Sequence, residues 1–66
     1  MKLDEWLTEH GLTNKEFGRR IGRSGEAVRR YRGHLRTPDM GTMPLIFRAT
    51  GGQVQPNDFY NLTALE

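Results

Sequence analysis

At 66 residues, a net charge of +2 and no cysteine, the chain is expected to be one small domain (residues 1–66) without a disulfide or a thiolate metal site to staple it. A chain of this size buries only about 60% of the surface its unfolded form exposes, so its core must come from well-packed helices, helped or not by a partner subunit. No apolar run approaches the ~20 residues that span a bilayer, and the acidic, amphipathic start MKLDEWLTEHG is unlike a signal peptide, so the expected location is the cytoplasm.

The first helix is expected over residues 2–10. Leu3, Trp6 and Leu7 recur at i, i+3 and i+4 as one apolar stripe. Asp4 and Glu5 fall in the first turn, where the helix dipole favours anions, and His10 falls in the last turn, where it favours cations. Gly11 stops the helix as a left-handed cap, and Leu12 folds back onto the stripe. Thr13-Asn14-Lys15-Glu16 then forms a capping box, with Leu12 and Phe17 as a hydrophobic staple across it. The second helix runs to Ile21 with Phe17 and Ile21 inward. Gly18 lies on the same side and costs about 1 kcal/mol relative to alanine, which implies that another helix packs too close there for a side chain.

The turn is only Gly22-Arg23, because Ser24 is placed to cap a third helix over residues 24–33. Ala27, Val28 and Tyr31 give its inward face. Ser24, Gly25, Glu26, Arg29, Arg30 and Gly33 lie on or near the opposite face, and Gly33 is expected to end it. In the connector, Leu35 is expected to plug the core and Pro38 forbids simple helix continuation. Pro44 suits a first helical turn, which starts the fourth helix near Thr42 or Met43 and carries it to about Thr50. Met43, Ile46, Phe47 and Thr50 make its stripe, and Gly51-Gly52 caps it. Residues 53–55 are expected to be extended and residues 56–60 to open a last helical turn, with Val54 and Phe59 on the core. A competing account makes residues 43–60 strands. Pro44, the 3–4 spacing and the glycine pair favour helix.

Charge is distributed unevenly along these elements. Residues 19–36 hold seven arginines (Arg19, Arg20, Arg23, Arg29, Arg30, Arg32 and Arg36) against Glu26, a local balance of +6, while residues 1–18 and 37–66 each carry −2. A basic centre between acidic ends is the electrostatic footprint expected for phosphate. Arginine throughout suits bidentate recognition of phosphate or guanine. Nothing points to an enzyme: no paired carboxylates, no nucleophile beside a base and no phosphate-cradling loop stand out. No metal site is expected from two isolated histidines, and no cofactor or small-molecule substrate is implied.

Leu12-Thr13, Phe17, Gly18, Ile21, Gly22, Val28 and Tyr31, with the segment Tyr31-Arg-Gly-His-Leu-Arg-Thr-Pro38, resemble the phage Cro/repressor-type (XRE-like) helix-turn-helix family. The tail ATGGQVQPNDFY is similar to that of short Cro-like prophage regulators. The resemblance implies an all-α, four- to five-helix, lambda-repressor-like fold with the motif at residues 13–33. It also implies a transcriptional regulator, a repressor by analogy, that places its second motif helix in the DNA major groove. Two departures stand out. Arg23 takes a position that is usually apolar, and Asn14 stands where the family often has glutamine.

A helix in the major groove reads bases from its N-terminal half, which makes Ser24, Glu26, Arg29 and Arg30 the candidates for base contact. Arginine pairs bidentately with guanine, and Glu26 either accepts from cytosine or only orients Arg29 and Arg30, three and four residues on. Gly25 would let the helix sit close to the groove. Asn14, Arg19, Arg23, Arg32, His34 and Arg36 are the phosphate candidates, while Arg20 is equally a solvated face. One such helix reads few base pairs, so a homodimer spanning a palindromic site of double-stranded DNA is expected, with Leu45, Phe59, Tyr60 and Leu62 at its interface. The alternative is an antitoxin-like or adaptor module that binds a protein partner and uses the motif for autoregulation.

Overall fold

The computed structural model describes residues 1–59, and every regular element among them is helical. Helix α1 spans Leu3–His10, α2 Asn14–Ile21, α3 Gly25–Arg32 and α4 Met43–Ala49, followed by a 3-10 turn at Pro56–Phe59. Residues 43–59 contain no strand. None of the helices among the described residues is long and apolar enough to cross a membrane.

One core serves all four helices. Leu3, Trp6 and Leu7 enter it from α1, Phe17 and Ile21 from α2, Val28 and Tyr31 from α3, and Ile46 from α4. Val54 and Phe59 close it from the C-terminal segment. The dominant packing is α2 on α3, with α4 laid against α2 and α1 against α3. Trp6 is a core residue, stacked on His10 with ring centroids 4.0 Å apart and tilted against Phe17 at 5.8 Å. His10 Nδ1 also lies 2.9 Å from the Trp6 carbonyl, so the last turn of α1 is closed by its own side chain.

The helix starts follow the local sequence. The Thr13 hydroxyl accepts from the Glu16 N–H and the Glu16 carboxylate accepts from the Thr13 N–H, both at 3.1 Å. The Ser24 hydroxyl accepts from the Ala27 N–H at 3.1 Å. Helix α4 is entered through a turn that Asp39 caps: its carboxylate accepts from the Thr42 N–H at 2.8 Å and the Thr42 hydroxyl at 2.7 Å.

Several expectations about packing are corrected. Leu35 does not plug the core but is 70% exposed. The reason lies where α3 ends: Gly33 caps the helix, as expected, but it is not the left-handed residue. Gly33 keeps an ordinary φ of −87°, and His34 takes the left-handed conformation at φ 58°. The reversal at His34 turns Leu35 outward against Gly33, and Pro38 is the buried residue of the connector. Phe47 is also outside the core, 44% exposed, because the buried line of α4 runs through Thr42, Ile46 and Thr50. The Thr50 hydroxyl donates to the Ile46 carbonyl at 2.9 Å and accepts from the Val54 N–H at 3.1 Å, which pulls Val54 into the core.

Two of the motif's glycines mark close approaches, Gly18 as expected though to the turn, and Gly25 inward rather than outward. A Cβ on Gly18 would stand 2.5 Å from the Arg23 carbonyl oxygen, so the close neighbour is the backbone of the turn. A Cβ on Gly25 would stand 3.2 Å from the Lys15 nitrogen, so Gly25 brings the first turns of α2 and α3 together rather than facing outward.

Candidate nucleic-acid interface

The exposed side of α3 carries Glu26, Arg29 and Arg30, the positions that follow from Val28 and Tyr31 being buried behind them. Arg29 grips Glu26 with two bonds, Nε to Oε2 at 3.2 Å and Nη2 to Oε1 at 2.6 Å. Arg30 Nε lies 3.5 Å from the same Oε1. The hydrogen bonds and charge of Arg29 hold the Glu26 carboxyl below its ordinary value, with Arg30 adding to the effect. In the free protein Glu26 thus pairs with both arginines. Ser24 sits at the start of the same helix with its oxygen engaged in the cap.

The other cations divide into two groups. Arg19, Arg20 and Arg36 are exposed and make no ion pair among the described residues. His34 is exposed at the left-handed turn that ends α3. Arg23 and Arg32 are held by the protein itself. Arg23 Nε donates to the Thr42 hydroxyl at 3.0 Å and Nη1 to the Gly22 carbonyl at 3.1 Å. The Thr42 hydroxyl in turn donates to Asp39, so the chain Arg23–Thr42–Asp39 ties the α2–α3 turn to the entrance of α4. Arg32 reaches Asp4 of α1 and Asn14 of α2, each at 2.8 Å.

Sequence reasoning missed Asp4, Thr8, Asp39 and Thr42 as partners of the basic groups. Asp39 had a local signal, an acidic residue three positions before the residue it caps. Asp4 and Arg32 are 28 positions apart, and no local pattern announces a pair that only the packing of α1 on α3 creates. Of the residues expected at a subunit interface, Leu45 is half-buried against the core and Phe59 is buried within it, so this surface is already used. Tyr60 and Leu62 lie outside the described residues.

Taken together, the site is a rigid helix with two outward arginines braced by one carboxylate, bordered by free arginines and joined to α2 by a three-residue turn, Gly22-Arg23-Ser24. Such a surface suits hydrogen-bond acceptors and anionic oxygens. Comparisons with protein-family models, with curated proteins and with solved structures return no match to this chain.

Proposed function

We propose that the chain is a Cro/repressor-type regulator of lambda-repressor-like fold that binds a specific double-stranded DNA site as a homodimer, with α3 in the major groove. The supporting observation is the outward pair Arg29 and Arg30, braced by Glu26 on a helix whose opposite face is locked into the core. Arg29 and Arg30 read guanine O6 and N7. Glu26 sets their direction, and the Ser24 hydroxyl proton remains available to a base edge or phosphate. Arg19, Arg36, His34 and the N-terminus of α2 at Asn14 fix the helix against the phosphates. Arg23 contributes through the part of its guanidinium not bound to Thr42. Two copies read two half-sites about 34 Å apart, and exposed apolar side chains among the described residues, Leu35, Met40 and Phe47, are free to join them.

Selection from a random duplex pool tests this, with Arg29→Ala and Arg30→Ala proteins run alongside. The expected result is an inverted repeat with about 10 bp between half-site centres, each variant losing preference at one base pair. Weak, salt-sensitive binding with no enriched sequence would leave only the phosphate contribution. That outcome would favour the second reading, an adaptor or antitoxin-like module, for which exposed Leu35, Met40 and Phe47 supply the partner surface.

A further inference from the structure

Arg32 has the charge of a phosphate contact but not the freedom of one. It shares a flank of α3 with Gly25 and Val28, turned toward α1 and the start of α2. Nε donates to Asp4 Oδ1 at 2.8 Å, and Nη2 lies 2.8 Å from the same oxygen. Nη2 also donates to the Thr8 hydroxyl at 3.4 Å, and Nη1 to Asn14 Oδ1 at 2.8 Å. All three guanidinium nitrogens are engaged within the protein, and the side chain is only 23% exposed.

The bond to Asn14 decides the orientation of that amide. A guanidinium only donates, so the end of the amide that faces Nη1 must be the oxygen. The Asn14 NH2 group therefore points away from Arg32, and it has no acceptor among the described residues. Asn14 opens α2, where the helix leaves backbone N–H groups without intrahelical acceptors. It also borders the start of α3, since a Cβ on Gly25 would lie 3.6 Å from the Asn14 carbonyl carbon.

We infer that Arg32 is a positioning residue for DNA binding, resting on the reading proposed above. It touches no phosphate itself. It holds the Asn14 amide with its two N–H donors outward, as a neutral phosphate clamp, while Asp4 keeps the guanidinium from swinging out. Lysine could not replace it, because a single ammonium lacks the planar fork that meets Asp4 and Asn14 in fixed directions.

The test is anisotropy titration of the selected duplex across a salt series. The proteins are wild type, Arg32→Ala, Asn14→Ala, the double variant and Asn14→Asp, each checked for fold by circular dichroism and thermal midpoint. Arg32→Ala and Asn14→Ala should each weaken binding about tenfold, the scale of one hydrogen bond to a charged group. The double variant should be no weaker than the worse single, since both remove the same contact. The salt slope should stay at the wild-type value in all three. Asn14→Asp should melt no lower than wild type, because a carboxylate there pairs with Arg32 and suits a helix N-terminus. It should nevertheless bind weakly, with an anion where the donor was.

A salt slope reduced by about 0.9 in Arg32→Ala would mean a direct phosphate contact and would overturn the inference. So would additive losses, or wild-type affinity in Asn14→Asp. If Arg32→Ala does not fold, Arg32→Lys decides, because it keeps the charge without the fork: binding should still fall about tenfold, and wild-type affinity would overturn the inference. Wild-type protein that binds no duplex at any salt would overturn the DNA-binding reading itself, and this role with it.

Discussion

Glu26 carries the sharpest conflict at the scale of single residues, because one carboxylate among arginines both restrains them and repels phosphate. Removing it in Glu26→Ala frees Arg29 and raises the local charge by one. Affinity for random duplex should rise, with a steeper salt dependence, while preference at the guanine read by Arg29 should fall. Competition binding against the selected site measures both, and unchanged base preference would show that Arg29 needs no brace. Among the other carboxylates, Asp39 and Glu16 couple stability to pH. Asp39 is held below its ordinary value of 3.8 by the Thr42 hydroxyl and N–H, and Glu16 below 4.5 by the Thr13 N–H and hydroxyl. Groups depressed in the folded state contribute stability that is complete above their unfolded values and lost as pH falls through the folded ones. The urea midpoint should therefore be level near neutrality and drop from about pH 5 toward about pH 2, with a smaller drop in Asp39→Asn. The Glu26–Arg29 and Thr13–Glu16 pairs are legible as spacings of three residues. The Arg23–Thr42 bond is not, since it joins positions 19 apart.

At the scale of elements, the four helices end in the same way. In each, the last turn closes with paired reverse bonds: Gly11 and Leu12 to Thr8 and Leu7, Gly22 and Arg23 to Arg19 and Gly18, His34 and Leu35 to Tyr31 and Arg30, and Gly51 and Gly52 to Arg48 and Phe47. Three of these turns put glycine at the left-handed position, and the one after α3 puts His34 there. Left-handed backbone costs a residue with a side chain about 1–2 kcal/mol, and glycine's extra chain entropy returns part of that. His34→Gly should thus stabilise the domain by about 0.5–1 kcal/mol. Gly33→Ala should gain about 0.4–1 kcal/mol, because its backbone is ordinary and its Cβ meets nothing closer than 3.6 Å. Gly22→Ala, at φ 69°, should lose about 1–2 kcal/mol. Urea midpoints at constant slope check all three, and a loss in Gly33→Ala would return the left-handed turn to Gly33. The glycine after Ile21 was readable in advance. Gly33 as the end of α3 was readable too, but the left-handed turn at His34 was not, because glycine is the residue that ordinarily takes that conformation.

For the whole molecule, the margin is narrow. A single core in a domain this small supplies only ~3–5 kcal/mol. Phe17 is fully buried and packs against Trp6 of α1, and Phe→Ala substitutions in cores cost about 3–5 kcal/mol. Phe17→Ala should therefore be largely unfolded at 25 °C, seen as loss of the helical circular dichroism signal. If the proposed DNA-binding reading holds, saturating selected duplex should restore part of that signal by mass action, since a ligand of the folded form stabilises it. The same narrow margin explains why surface arginines are recruited internally: Arg32 joins α1, α2 and α3, and Arg23 joins the motif turn to α4.

Helix positions, starts and stops follow from the sequence alone, because caps, staples and apolar periodicity act over three or four residues along the chain. The outward placement of Glu26, Arg29 and Arg30 follows too, once Val28 and Tyr31 are known to face inward. Tertiary structure alone decided which arginines stay free. Arg23 and Arg32 carry the same charge as Arg19 and Arg36, but packing brings Thr42 and Asp4 within reach of the first pair and leaves the second pair in solvent. It also turned α4 so that Ile46 rather than Phe47 fills the core. A short helix with apolar residues on adjacent positions has no unique inward face until a neighbour supplies one.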